Sequence, residues 1–255
     1  MAESACPGMD SAIVRRMASM ATLVRRRRAA TSIVISFRRW LCAGLVLAAF
    51  VLPPGNAVAD DTVVVGAFSQ ANVSGWETRS FKGETVYALV RDPARNAIVL
   101  QATSNAAASG RFRKITIDLT RTPFMNWSWK VTHPLSGLDE NAKTGDDFAA
   151  RIYVVSEKGI MGMNSLSINY VWASKHSAGS HWTSPFTKQV RLVAVNSGSN
   201  GLNTWVSHKR NVRSDLRELF GQDITSIDAV ALMTDTDNSG QRATAYYGDI
   251  WFGAE

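Results

Sequence analysis

Ala229-Val-Ala-Leu-Met233 followed by Thr234-Asp-Thr-Asp-Asn-Ser-Gly240 constrains this chain more than any other stretch. Five apolar residues in a row suit a strand buried on both faces, and the Asp, Asn, Ser and Gly that follow suit a turn that breaks it. A second strand-like run, Ala243 to Phe252, lies beyond the turn. A strand buried on both faces needs a layer on each side, so the rest of the chain must supply those layers.

Alternation elsewhere supplies them. Ile115, Ile117 and Leu119 share one face of a half-buried strand, and Trp127, Trp129 and Val131 share a face opposite Asn126, Ser128 and Lys130. Residues 145–155 read as a further strand, with Phe148, Ala150, Ile152 and Val154 facing one way and Asp147, Arg151 and Tyr153 the other. Residues 166–172, 190–195 and 204–209 continue the pattern, whereas residues around Ser74-Gly75-Trp76 and 175–185 read as loops. One helix is expected: Asn211 is a suitable N-cap, Val212, Leu216, Leu219 and Phe220 fall on one face, and Gly221 sits where a C-cap glycine belongs. Ten to twelve short strands and one short helix predict an all-β fold, an antiparallel β-sandwich or jelly roll.

Charge separates the chain into two parts. Of the formal net +7, residues 1–59 carry +6, with eight arginines against Glu3 and Asp10. Residues 60–255 are thus near neutral and lack the basic footprint of a phosphate-backbone binder, so no nucleic-acid partner is expected. The arginines precede an apolar run at 40–52, Pro53-Pro54-Gly55 and a small-x-small site at Ala57-Val58-Ala59. This reads as a signal peptide with a long basic n-region, cut after Ala59, leaving a single domain at 60–255 in the periplasm or secreted. Cys6 and Cys42 both precede residue 60, so that domain has no disulfide and no thiol nucleophile. No second apolar segment of spanning length follows, and no membrane span is expected after cleavage.

Several motifs occur together and in order: Ala108-Ser-Gly110, Trp127-Ser-Trp-Lys-Val131, Lys143-Thr-Gly-Asp-Asp-Phe-Ala-Ala-Arg-Ile-Tyr-Val154, Asn169-Tyr-Val-Trp-Ala173, Asn196-Ser-Gly198, Arg210-Asn-Val212, Met233 to Gly240, and Tyr247-Gly-Asp249. With them the chain resembles, from about Phe68 to Phe252, the bacterial family of domain of unknown function 3047. The resemblance implies an exported single domain. It implies no reaction and no catalytic residues.

The candidate chemistry is of three kinds. Asp235, Asp237 and Asn238 space hard oxygens as a calcium loop does, although no Glu follows at the twelfth loop position and such residues also make ordinary turns. Asp146 and Asp147, with Arg151, are candidates for ligand binding or for paired carboxylates acting on a glycosidic bond; a structural Asp147–Arg151 ion pair is the simpler account. Among seven tryptophans after the leader, Trp182 and Trp76, assigned to loops, are candidate platforms for stacking a sugar. His176 and His181 are five apart with no flanking carboxylate, which speaks against zinc, and no nucleophile elbow or phosphate-binding glycine loop occurs. The expected function is a non-catalytic module for a carbohydrate or envelope glycan, with Ca²⁺ as the candidate cofactor. A glycan hydrolase using paired carboxylates and a protein-docking envelope protein stay open.

Overall fold

The computed structural model of the protein describes residues 61–157 and 164–255. The expected signal peptide and its cleavage point lie outside these residues. Among the described residues, fourteen strands form two seven-stranded sheets. The first sheet holds β1 (Val63–Gly66), β3 (Val86–Asp92), β4 (Ala97–Asn105), β6 (Phe124–His133), β11 (Val206–Asn211), β13 (Arg242–Tyr247) and β14 (Ile250–Gly253). The second runs β2 (Trp76–Lys82), β5 (Ala108–Asp118), β12 (Ser226–Met233), β7 (Arg151–Ser156), β8 (Leu166–Ala173), β10 (Val190–Ser197) and β9 (His181–Thr183).

The sheets pack face to face over one core, as the alternation predicts. From the first sheet come Leu100, Met125, Trp127, Trp129, Val131, Tyr247 and Phe252; from the second come Ile117, Ile152, Val154, Ile168, Tyr170, Trp172, Val230 and Leu232. Trp127 and Trp129 meet edge to face at 5.7 Å, and Trp129 donates from its indole N–H to Asn196 Oδ1 at 2.7 Å. An aromatic of this size removes roughly 150–250 Å² from water, so this pair contributes heavily to the layer.

The Ala229-to-Met233 run lies on central strand β12, between β5 and β7, with Val230 and Leu232 in the main core. Ala229, Ala231 and Met233 pack on the opposite face with Phe112, Tyr153 and Val155. That double burial is why the run shows no polar alternation.

Several sequence expectations differ from the structure, among them the loop at 175–185, which contains strand β9. Trp76–Lys82, expected as loop, is edge strand β2, whose polar residues face solvent. Residues 145–150 are not strand, because Lys143–Gly145 forms a 3₁₀ turn and β7 starts only at Arg151. The run from 243 to 252 is two strands split at Gly248-Asp249, both antiparallel to β6 and lying in line along one of its edges. Finally, β8 and β10 are parallel, a pairing made within an otherwise antiparallel sheet because β9 intervenes in sequence and returns antiparallel to β10.

The helix, α1 (Val212–Phe220), matches its expected bounds. Asn211 Oδ1 accepts from Ser214 N at 3.0 Å, and Gly221 closes the helix at φ 67°. Asp215 accepts from Tyr170 and from Arg210 and so ties the helix to both sheets. Replacing Asn211 with Ala removes the cap and is expected to lower unfolding free energy by about 1 kcal/mol, with Asn211→Asp close to wild type. Urea denaturation followed by tryptophan fluorescence measures both; equal losses in the two variants would mean that the cap is not what Asn211 contributes.

Candidate functional site

Two places gather polar chemistry, at opposite ends of β13. The first is the buried charge cluster at its start. Arg151, with no exposed surface, opens β7; its guanidinium bonds Asp235 through Nη2 and Asp146 through Nη1 at 3.4 Å. The rings of Phe148 and Tyr153 flank it at 5.1 and 5.2 Å. The expected Asp147–Arg151 pair is not made. Residues 146–150 are irregular, with a bend at Ala149-Ala150, and the strand starts only at Arg151, so strand parity does not carry from Arg151 back to Asp147. Gly145 permits the 3₁₀ turn before them, since a Cβ there would collide with the backbone of Asp139. Asp147 instead reaches the acidic turn and accepts from Asn238 N at 3.2 Å and Ser239 N at 2.6 Å.

Asp147, Asp235 and Asp237 each offer a carboxylate oxygen within 4.8 Å of the others. Asn238, expected as a ligand, faces Asp147 as a donor: its Nδ2 lies 3.2 Å from Asp147 Oδ1. The second oxygen of Asp235 is buried and accepts no hydrogen bond among the described residues. Two carboxylates, Asp146 and Asp235, thus bind one buried guanidinium, and Asp147 and Asp237 gather beside Asp235, with Lys82 at the rim, its Nζ donating to the Asp237 carbonyl at 2.9 Å. Burial pushes the Asp235 carboxyl well above its ordinary value; Arg151 pulls the other way, but Asp147, Asp146 and Asp237 add to the rise. Asp237 is raised by burial and by Asp147.

The two candidate platforms are not open. Trp182 is 9 % exposed in short strand β9, stacked on His176 at 3.9 Å, with its N–H donated to the Glu140 carbonyl. Trp76 is 8 % exposed and packs on Phe68. Pairing of β9 with β10 covers the first, and the start of β2 carries the second into the core.

The second place was not singled out by the sequence reading. It is a cleft of about 420 Å³ on the outer face of the first sheet. Cross-strand registers build its floor: Trp251 of β14 lies beside Asn126 of β6, which lies beside Lys209 of β11. Ser128 and Ser207 form the next row, where Gly248 leaves a gap. A Cβ on Gly248 would overlap Ser128 Oγ, so a side chain here would displace the hydroxyl that Arg95 reaches. Arg95, from the β3–β4 turn, crosses the gap and donates to Ser128 Oγ at 2.7 Å, its guanidinium lying 4.0 Å from the Trp205 ring centroid. Asp249 is held by Ser69, whose backbone N–H donates at 2.8 Å and whose hydroxyl donates to the other oxygen. Trp251 is 38 % exposed, and its register neighbour Val64 is exposed as well. The signal lay in parity: Ile250 and Phe252 point into the core, so the tryptophan between them must point out.

A carboxyl that prefers its proton in the fold stabilises fully below the ordinary value of 3.8, and that contribution is lost as pH rises through the higher folded value. In chelator, stability is therefore expected to decline as pH climbs from about 4 towards neutral, and Asp235→Asn, which mimics the protonated acid, should flatten the decline. Urea midpoints across that range measure it; parallel curves for variant and wild type would show that Asp235 does not titrate there.

Comparison with known proteins adds the family. No curated protein matches the sequence. Among solved structures, a family 30 carbohydrate-binding module of a Clostridium thermocellum cellulosomal cellulase is 12% identical at TM-score 0.43, covering 76% of this chain and 98% of its own. The xylan-binding domain from Paenibacillus barcinonensis is 10% identical at TM-score 0.40, covering 77% and 98%. The enzymatically active domain of bacteriophage CBA120 tailspike protein 4 is 10% identical at TM-score 0.37, covering 75% of this chain, which spans only 21% of that one. Likenesses at this level say nothing of what this chain binds. A family model described as "Protein of unknown function (DUF3047)" matches residues 74–251, and the chain belongs to that family.

Proposed function

We propose that this protein is an exported, non-catalytic β-sandwich module that binds a glycan in the Trp251 cleft. The observation that carries the reading is the composition of that cleft: an exposed apolar ledge of Trp251 and Val64 beside Asn126, Ser128, Ser207, Arg95, Lys209 and Asp249. A sugar ring has one apolar face and a rim of hydroxyls, and a ledge bordered by short donors and acceptors suits both. A volume near 420 Å³ falls in the range of small-ligand sites.

Binding is favoured over hydrolysis by where the carboxylates lie. Cleavage of a glycosidic bond needs two carboxyl groups facing each other across the bound sugar. The lining of the cleft has one, Asp249, both of whose oxygens are engaged by Ser69. The other candidates, Asp146, Asp147, Asp235 and Asp237, are buried about Arg151 and the acidic turn.

Trp251→Ala is expected to weaken binding to a soluble polysaccharide at least tenfold, a loss in line with the ~1–3 kcal/mol of an aromatic stacking partner. Trp182→Phe should leave affinity unchanged. Affinity electrophoresis against a panel of soluble polysaccharides measures both, and absence of retardation by every polymer would overturn the reading.

Calcium belongs to this proposal as a structural ion and not as a ligand bridge. Asp147, Asp235 and Asp237 would hold it, the buried oxygen of Asp235 gaining a partner and the excess negative charge being neutralised. Six residues of β13 separate this cluster from Gly248, on the order of 20 Å. EDTA is therefore expected to lower the melting temperature by several degrees, with restoration by Ca²⁺ and no restoration in Asp237→Asn, while glycan affinity at 25 °C stays within about twofold. Differential scanning calorimetry reads the first and affinity electrophoresis the second; a melting temperature indifferent to both EDTA and Ca²⁺ would remove the ion from the account.

A further inference from the structure

The charges lining the Trp251 cleft are unequal. Arg95 and Lys209 face it with one carboxylate, Asp249, and that carboxylate is committed to Ser69. Among the described residues neither Arg95 nor Lys209 has an ion-pair partner. The one carboxylate near Arg95 in sequence, Asp92, pairs with Lys130 and accepts from Trp205 Nε1 at 3.1 Å. It also accepts from the backbone N–H of Arg95 at 3.0 Å, which fixes the turn that presents the guanidinium.

Arg95 is held in place as well as exposed. One nitrogen donates to Ser128 Oγ at 2.7 Å, and the plane lies over Trp205 at 4.0 Å, so the arginine has lost much of the side-chain freedom that an ordinary surface arginine keeps. Its remaining donors form a fork of the geometry that fits a carboxylate. Lys209 Nζ lies 4.8 Å from the Phe124 ring centroid on the other side of Asn126. Between them, Trp251 and Asn126 span the floor, and from β14 across β6 to β11 is roughly 10 Å, room for about two sugar rings.

We infer that the glycan this cleft selects is acidic, a polymer carrying ring carboxylates such as a polyuronate, with Arg95 taking the carboxylate and Trp251 the apolar face of a ring. This rests on the glycan-binding reading and adds the charge of the ligand to it. A simple anion would use the cations and leave the Trp251–Val64 ledge idle. A neutral sugar would use the ledge and leave two cations without an ion-pair partner. An acidic sugar uses both, and the ion pairing occurs at a partly walled surface where it is worth more than in open water.

The test uses the purified chain in affinity gels containing polygalacturonate or, separately, a neutral galactan, at low and high salt. The expected result is strong retardation by polygalacturonate that weakens as salt rises, with weak retardation by galactan. Arg95→Gln combined with Lys209→Gln should weaken polygalacturonate binding about tenfold and abolish its salt dependence, with near-UV circular dichroism showing an intact fold. Equal retardation by the two polymers, or insensitivity to salt and to the double substitution, overturns acid selection while leaving the glycan reading intact. Polygalacturonate binding that Trp251→Ala does not weaken would be charge attraction without the cleft and overturns the inference too. No retardation by either polymer overturns both.

Discussion

The fold turns on one buried cation. Arg151 stands at the first position of β7, and its guanidinium reaches Asp146 before it in sequence and Asp235 just after β12. Moving a guanidinium out of water costs several kcal/mol, and the attraction that offsets this exists only while the carboxylates are held at contact. Those contacts fix the end of β12 against the start of β7, and from there Thr234 binds Tyr247 of the other sheet, whose hydroxyl donates to the Met233 carbonyl at 2.7 Å. The acidic turn is thereby the hinge of the sandwich: it carries the chain from the second sheet to the first, and Asp147 holds its backbone N–H groups from the other side. More negative charge is gathered there than Arg151 balances. A proton or a cation must make up the difference, and which one does so decides the sign of the stability change with pH.

The strands that cross the core were legible because their period could be read directly. Trp127, Trp129 and Val131 alternate with Asn126, Ser128 and Lys130, and the register of β6 keeps that parity. The helix was legible for a similar reason, since Asn211, the four apolar positions and Gly221 are all local signals. What was not legible is pairing. Nothing in Val190 to Ser197 distinguishes a strand parallel to β8 from one antiparallel to it; that follows from β9 taking the outer edge. β2 was hidden because an edge strand facing water through Glu77, Thr78 and Arg79 has the composition of a loop.

The site was less legible than the fold, and the tryptophans show why. A tryptophan in a loop-like sequence suggests an exposed ring, but exposure is a tertiary property. Glu140, thirty-six residues from His176 and forty-two from Trp182, accepts from both and closes what sequence presents as a loop, in which the two rings stack. The opposite error conceals Trp251. A tryptophan between Ile250 and Phe252 at the end of a chain looks like one more core residue, yet strand parity turns it to the solvent side while its neighbours go inward. Apolar composition identifies strands; parity within them decides which aromatic is free to bind.

Gly248 connects these points. If β13 continued unbroken into β14, a side chain at 248 would occupy the floor beside Ser128, Arg95 could not cross to that serine, and Trp251 would border a flat sheet. The break trades ladder hydrogen bonds for a concavity, retaining one through Gly248 N to the Ser128 carbonyl at 2.9 Å. Asp249 then turns outward and is secured by Ser69, which keeps the break from fraying. A sandwich without this interruption would be the more regular sheet. The loss of regularity falls where an exposed ring, an anchored arginine and a lysine without an ion-pair partner among the described residues are brought together, and that coincidence is why we propose ligand recognition there and structural cohesion at the other end of β13.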